Sequence, residues 1–407
     1  MTNGLLAAVV AALLTAAQTP APTPVGLASV PPQPVEGISS APLQAIPADD
    51  PPVAAGAPTA WVTADYLVTW MKGVRVPPLL TTSPPGTARA SAGILDQPNT
   101  TTLFQGWQNE GARSGFRIDA GTWLLRDEGL QLEAGASVIE SRSAGINAAS
   151  DGSRILARPF INALTGSPDA ILVAFPDASS GDVSIRNLSG NFYEAHVTVA
   201  KTIPCTSFEA LLGYRFFRYD ETLTMQQRLR PIGLGALVDS EFTSVDKFRA
   251  QNEFHGLDLG VRGQFGTDDL TVDVLAKVAV GRLQRRLTVR GVQYEAPTAG
   301  PAVAQVGGVY ALASNIRTLN DTEWGAIPEL GVGVAYRVRD NTLIRLGYSV
   351  LWLSGITRAG EMVDTTLNPN LFPPATNPSA DPQRPAPLNP RTDLWIQTLS
   401  LGLVFTY

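Results

Sequence analysis

The chain is poor in the residues that build covalent or metal-held scaffolds. Of its 407 residues one is cysteine, Cys205, and two are histidine, His196 and His255. A single cysteine forms no intrachain disulfide, and so small a Cys/His set does not make a zinc site. Charge of one sign is not in excess: the net charge is -6, mild for this length, so nothing points to nucleic acid as a partner. Long hydrophobic runs are missing as well. No stretch of about 18 apolar residues follows the N-terminal region, which excludes a membrane-spanning helix there.

What is present is alternation. Reading back from the end in steps of two gives Tyr407, Phe405, Leu403, Leu401 and Leu399, all large and apolar, with Thr406, Val404, Gly402, Ser400 and Thr398 between them. A period of two is a strand with one greasy face. Chain ends in water tend to fray, whereas a strand in a membrane barrel wall keeps lipid on one side and the lumen on the other to its end. A terminal aromatic after such alternation is similar to the signal read by bacterial outer-membrane assembly machinery. The soluble alternative is the last strand of a sandwich.

The N-terminal part is different. Leu5 to Ala17 is a short apolar run ending in small residues, and no Lys or Arg precedes Lys72. Residues 1–17 read as a secretory signal. The Pro-rich tract at 18–58, without periodicity, reads as an extended linker, and residues 59–407 as the folded domain.

Within that domain the alternation recurs. Its apolar faces include Val62–Trp70, Phe116–Ala120, Leu130–Val138, Tyr193–Val199, Phe208–Phe216, Leu257–Phe265, Leu270–Val280, Leu330–Val338 and Ile344–Tyr348, each taken at every second residue. Asp127-Glu128-Gly129, residues 203–206, Thr267-Asp268 and Arg339-Asp340-Asn341 read as short turns. Long connections fall near 72–114, 141–189, after Phe216, 284–322 and 357–391. Connections therefore alternate long and short, as external loops and periplasmic turns do in outer-membrane barrels. The predicted fold is all-β: a closed antiparallel transmembrane β-barrel of about ten strands, or twelve if 141–189 or 284–312 contributes a hairpin.

The opposite faces carry charge: Arg117, Asp119, Glu133, Glu194, Glu209, Arg215, Asp258, Arg262, Asp273, Lys277, Arg337 and Arg345. A two-residue loop at Thr267-Asp268 sets Arg262 opposite Asp273 and Asp258 opposite Lys277. A four-residue turn at 203–206 sets Glu194 opposite Arg215. Such pairs suit a wet lumen, and also the solvated face of a soluble sheet. Aromatics near strand ends, among them Trp61, Tyr66, Trp70, Tyr193, Phe208, Trp324, Trp352, Trp395 and Tyr407, suit interfacial girdles.

Several segments in order carry a family resemblance: WVTADYLVTWMKG (61–73), PPLLTTSP (77–84), ALLGYRFFRYDE (210–221), FHGLDLGVRGQF (254–265), LTVDVLAKVAVG (270–281), GGVYALASN (307–315), IPELGVGVAYRV (327–338), LGYSVLWLSG (346–355) and NPN (368–370). Together they resemble the bacterial beta-barrel porins of the type-seven class, formerly a domain of unknown function. This chain has Arg358-Ala359-Gly360 where the family pattern has Arg-Pro-Gly. The resemblance implies an outer-membrane barrel with a porin role and no catalytic residues.

No nucleophile–His–carboxylate set shares a face, so the chain is not expected to be an enzyme. Gly331 and Gly333 begin a GxG, but no amphipathic helix follows, so no dinucleotide cofactor is expected. His196 reads as a hydrogen-bonded lumen residue, His255 as an interfacial one and Cys205 as a free thiol in a turn. The expected partners are outer-membrane lipid and the assembly machinery, the latter through Tyr407, Phe405 and Leu403. About eight strands are filled by side chains while 16 to 18 leave a channel, so the expected lumen is narrow and largely filled. The alternative function is surface adhesion or recognition through long external loops.

Overall fold

A computed structural model describes residues 59–407 apart from 233–239, 268, 298–299, 376 and 378. The signal segment 1–17, the Pro-rich tract 18–58 and Asp268 lie outside the described residues. The strands, in chain order, are β1 (Ala60–Met71), β2 (Val74–Ser83), β3 (Thr101–Gln108), β4 (Ala112–Leu125), β5 (Leu130–Ile139), β6 (Arg142–Ser150), β7 (Ile155–Asn162), β8 (Pro168–Ala174), β9 (Ser179–Thr202), β10 (Phe208–Pro231), β11 (Glu241–Gly266), β12 (Leu270–Ala296), β13 (Val303–Val306), β14 (Arg317–Arg339), β15 (Thr342–Ile356), β16 (Thr366–Leu367) and β17 (Thr392–Thr406).

Ten of them close a ring: β1, β4, β5, β9, β10, β11, β12, β14, β15 and β17, each antiparallel to its neighbour, with β17 returning to β1. Closure leaves no open edge, which is what a sheet in hydrocarbon requires. β6 adds to the outer part of β9 and β13 to that of β12. The long connections fold too. β2, β3, β7, β8 and β16 form a second sheet in the order β16-β7-β2-β3, with β8 on β7.

The period-two reading assigns the faces. In β12, Val274, Val278 and Val280 are exposed on the outside, whereas Ala279 and Leu283 are buried on the inside. Trp70, Tyr193, Trp324 and Trp352 lie exposed on the outward face, and Phe208 and Phe265 pack edge-on, 5.6 Å apart, near the periplasmic turns. These are the two aromatic girdles. Trp61 is an exception to the expected girdle. Its odd position in β1 turns it inward, where it lies against Gly121 and lines the lumen cavity. The turn at Asp127-Glu128-Gly129 closes with the Gly129 amide donating to the Arg126 carbonyl at 2.8 Å, and Gly129 takes φ +62°, which an L side chain rarely adopts.

Two expected registers are corrected. Phe265 pairs with Val272 and Gly266 with Thr271, so Arg262 lies opposite Leu275 and Asp258 opposite Ala279. Likewise Arg215 lies opposite His196, and Glu194 opposite Phe217. Both hairpin loops are longer than the predicted turns. The Thr267 amide donates to the Leu270 carbonyl at 2.9 Å, and the Ile203 amide to the Phe208 carbonyl at 2.9 Å. Lys277 lies opposite Gly260, whose missing Cβ leaves room for the lysine stem.

β9 to β12 run for 24 to 27 residues, whereas about 9–11 suffice to cross the hydrocarbon. Their outer halves stand beyond the membrane and pack against the second sheet. Leu79, Leu80, Phe104, Leu156 and Phe160 from the connections meet Ile185, Leu223, Met225, Phe248 and Leu287 from the strands in one buried cluster.

Opposite faces of one strand should respond differently to polar substitution. Val274→Arg or Leu259→Arg should destabilise the barrel by roughly 2–4 kcal/mol for a site near mid-membrane, and Asp273→Asn on the inner face by less. Urea titration of the protein folded in lipid measures both. Equal costs would refute the face assignment.

Candidate functional site

In the periplasmic half the lumen is lined by charged side chains that meet one another. Arg117 donates to Asp65 at 2.9 Å and lies 3.2 Å from Asp119, which is 3.6 Å from His196. Lys277 meets Asp258 at 2.6 Å, and Arg345 meets Asp273 at 3.0 Å. Arg215 lies 3.4 Å from both Glu194 and Asp258 and pairs also with Glu329. Arg262 donates to Glu209 at 2.8 Å and to Glu133 at 3.1 Å. Arg337 folds onto the Asp340 carbonyl at 2.8 Å, at the periplasmic rim.

Two of these contacts cross the barrel. Arg215 on β10 reaches Glu329 on β14 with β11 and β12 between them, and Arg262 on β11 reaches Glu133 on β5 with β9 and β10 between them. They are chords, not neighbours along the wall. The free space left among the groups is a cavity of 170 Å³, lined by Trp61, Asp119, His196, Arg262 and Glu329 among others.

Inward glycines make room for this. Asp65 lies opposite Gly402, Asp119 opposite Gly135 and Asp273 opposite Gly333. A Cβ on Gly402 would stand 1.9 Å from Asp65 Oδ1, and one on Gly333 would stand 2.4 Å from Asp273 Oδ1. In each carboxylate Oδ1 lies over the cross-strand glycine while Oδ2 meets an arginine, Arg117 for Asp65 and Asp119 and Arg345 for Asp273. The GxG of Gly331 and Gly333 is thus part of the barrel lining.

The sequence reading places Arg117, Asp119, Glu133, Glu194, Glu209, Arg215, Asp258, Arg262, Asp273, Lys277, Arg337 and Arg345 on the inward face, and they lie there. The structure brings Asp258 to Lys277 and Glu194 to Arg215, diagonally instead of directly opposite. It does not bring Arg262 to Asp273: Arg262 meets Glu133 and Glu209, and Asp273 meets Arg345. Asp65 and Glu329 are absent from the predicted site, although their parity, the same as that of Thr63 in β1 and Arg337 in β14, marks them as inward. His255 faces outward, its Nδ1 2.6 Å from Tyr214 Oη and its Nε2 3.1 Å from Glu253. Cys205 is exposed in its turn.

Toward the outside the lumen turns apolar. Phe192, Phe217 and Phe254, on three adjacent strands, stack at 5.6 and 5.4 Å with interplanar angles of 17° and 9°. Met71, Ile139, Leu283, Ile327, Leu353 and Leu394 complete a buried layer across the barrel. Above it lies residue 358, where the last long connection enters the mouth. Arg358 and Glu221 are both buried and meet at 2.7 Å. The Ala359 amide donates to the same carboxylate at 3.1 Å, and Tyr219 donates to it at 2.7 Å. Burial works against the Arg358 charge, but Glu221 outweighs it and holds the guanidinium above its ordinary pKa. Gly360 is required for close approach: a Cβ there would stand 2.6 Å from Val76 Cγ1 and 2.8 Å from the Arg75 carbonyl. The Arg-Ala-Gly segment is therefore seated firmly without the family's proline.

A second buried carboxylate holds the neighbouring connection. Asp246 accepts from the amides of Val309 and Ala311 at 2.9 Å each and from that of Tyr310 at 3.3 Å. Burial raises the Asp246 pKa, with those amides and Arg158 opposing the rise, and burial also pushes the Tyr310 hydroxyl up to about 12. Among the described residues no His, Cys, Asp and Glu cluster has the form of a metal site.

A closed, lipid-faced ring of ten antiparallel strands with short turns at one end defines a transmembrane β-barrel of the bacterial outer membrane. The family whose pattern matches residues 61–407 is described as "Putative beta barrel porin-7", and this chain belongs to it. No curated protein matches the chain. Among solved structures it is similar to the outer membrane protease OmpT of Escherichia coli, at 9% identity over 85% of this chain and 97% of that one, with a TM-score of 0.38. A Pseudomonas aeruginosa FadL homologue matches at 10% identity over 85% and 90%, with a TM-score of 0.22. The Pseudomonas putida toluene transporter TodX matches at 9% over 86% and 91%, with a TM-score of 0.19. Likenesses this slight carry no argument about activity.

The Arg358–Glu221 pair is open to test. Arg358→Met strands a buried carboxylate and should cost roughly 3–5 kcal/mol. Adding Glu221→Leu should return much of that loss. Urea unfolding and protease cleavage within 357–391 report the two effects, and an unchanged midpoint for Arg358→Met would refute the assignment.

Proposed function

We propose that this protein is a sealed outer-membrane barrel that acts as a structural and recognition element, not a general diffusion pore, and that it carries out no enzymatic step. One observation carries the reading: side chains meet across the lumen at two levels along its axis. The chords Arg215–Glu329 and Arg262–Glu133 cross the periplasmic half, and the Phe192–Phe217–Phe254 layer fills the outer half. A buried apolar layer that spans the lumen would leave no path for hydrated solutes. The lumen charges are spent on one another, which supports a filling role over a catalytic one. The second sheet and the 357–391 connection cover the mouth and present an external surface, which supports recognition as the outward role.

We propose further that Leu403, Phe405 and Tyr407 form the signal that the assembly machinery reads. Leu403 and Tyr407 are exposed, and the Tyr407 amide donates to the Ala60 carbonyl at 2.9 Å, at the seam where the last strand meets the first.

In a planar bilayer the folded protein should give no steady current steps, and liposomes carrying it should not swell in a disaccharide. Stable steps comparable to those of a general porin would refute the sealed lumen. Deleting Tyr407 should lower membrane content and heat-modifiable mobility, whereas cutting residues 20–58 should not. Unchanged assembly after the deletion would defeat the signal assignment.

A further inference from the structure

We propose that the outward face of β9 to β12, just beyond the membrane, binds the phosphate groups of a tall anionic glycolipid headgroup in the outer leaflet. The argument starts with strand parity. On β12 the outward positions are apolar up to Val280 and then become Arg282, Gln284, Arg286, Thr288 and Arg290. The change comes at the girdle: Arg282 pairs with Trp324, which is 75% exposed. A cation at that depth lies where lipid headgroups begin.

The cations are organised across strands as well as along one. Arg186 on β9 lies opposite Thr224 on β10, which lies opposite Lys247 on β11, which lies opposite Arg290 on β12. One straight row thus carries three positive charges. Among the described residues, Arg186, Lys247, Arg282, Arg286 and Arg290 are exposed and have no hydrogen bond or ion pair. Carboxylates on this face are already engaged. Asp220 lies 3.0 Å from Arg249 and 3.4 Å from Arg218, and Glu253 lies 3.1 Å from His255. A groove of 370 Å³ lies at the first level above the girdle, lined by Arg218, Arg285 and Arg286 together with Asp220, Glu253 and Asp321, the last paired with Arg285.

Depth selects the occupant. Arg282 and Arg290 are eight positions apart on one strand, so at ~3.4 Å per residue and a tilt near 40° they differ by about 20 Å along the membrane normal. A phospholipid phosphate meets only the first level. A glycolipid with phosphates on both its membrane anchor and its outer sugars meets all of them. The opposite wall has no such face, because β1 ends at Met71, β15 ends at Ile356 and β17 begins at Thr392.

The test uses the full folded protein in nanodiscs of phosphatidylcholine doped with lipopolysaccharide whose core sugars are phosphorylated, with its dephosphorylated-core form, or with phosphatidylglycerol. Lipid retained after transfer to detergent is counted by native mass spectrometry. The phosphorylated form should be retained best, and retention should fall as ionic strength rises. Affinity should drop about fivefold for each arginine removed in Arg282→Gln, Arg286→Gln and Arg290→Gln, while Arg89→Gln with Arg154→Gln on the outer loops should leave it unchanged. Equal retention of all three lipids, or retention insensitive to salt in the unaltered protein, overturns the proposal even where a variant fails to fold. So does equally tight binding of inorganic phosphate or of heparin by the detergent-solubilised protein, which would point to a soluble anion instead of a lipid.

Discussion

Everything in this protein follows from one constraint: backbone in hydrocarbon must pair all of its polar groups, so the sheet has to close on itself. Once β17 meets β1, successive residues within the membrane-spanning part of the ring face lipid and lumen in turn. Val274 and Val278 face outward while Asp273 and Lys277 face inward, one residue away. No side chain is free to choose a milder environment. The lipid face is then simple, and the complexity is forced into the interior.

Ten strands lie between the roughly eight that side chains fill and the 16 to 18 that leave an aqueous channel, so such an interior needs large side chains if it is to be occupied. The barrel resolves this in two ways along its axis. The periplasmic half uses long ionised side chains, paired across the lumen and accommodated by glycines such as Gly402 and Gly333. The outer half uses aromatics and aliphatics, with the stacked Phe192, Phe217 and Phe254 at the centre. The order fits access to solvent. Charges remain in the half that retains a cavity, and the apolar layer lies beneath the extracellular cluster, continuous with the kind of core found in a soluble domain.

The strands do not stop at the membrane. In β9 to β12 the same inward parity that packs a lumen packs an external core, so one set of strands belongs to two structures. β9 changes parity where they join: the register slips between Tyr219 and Glu221, and the buried positions pass from even, as in Phe192, to odd, as in Ser189 and Asn187. A bulge of this kind re-aims the side chains beyond it. Here it turns Ser189 toward Tyr219, whose hydroxyl is 2.6 Å away, beside the buried Arg358–Glu221 pair.

The alternation of Leu399 to Tyr407 and its counterparts is legible because period two depends only on local geometry, and it carries the all-β class, a strand count of about ten and the inward parity of charged residues such as Arg117, Asp273 and Lys277. Loop order revealed which ends carry turns. The register was not legible: the residues closing the 203–208 and 267–270 loops are set by hydrogen bonds that no periodicity encodes, and a shift of two preserves every face while changing every partner. That is why parity turns Arg262 inward but does not choose Glu133 over Asp273 as its partner. The second sheet leaves little periodic signal because β2, β7 and β16 are short or interrupted by proline, and their pairing joins segments far apart in the chain. Only the tertiary structure decided the chords across the lumen, the apolar layer above them and the seating of Arg358, because each of these depends on which side chains meet after the ring has closed.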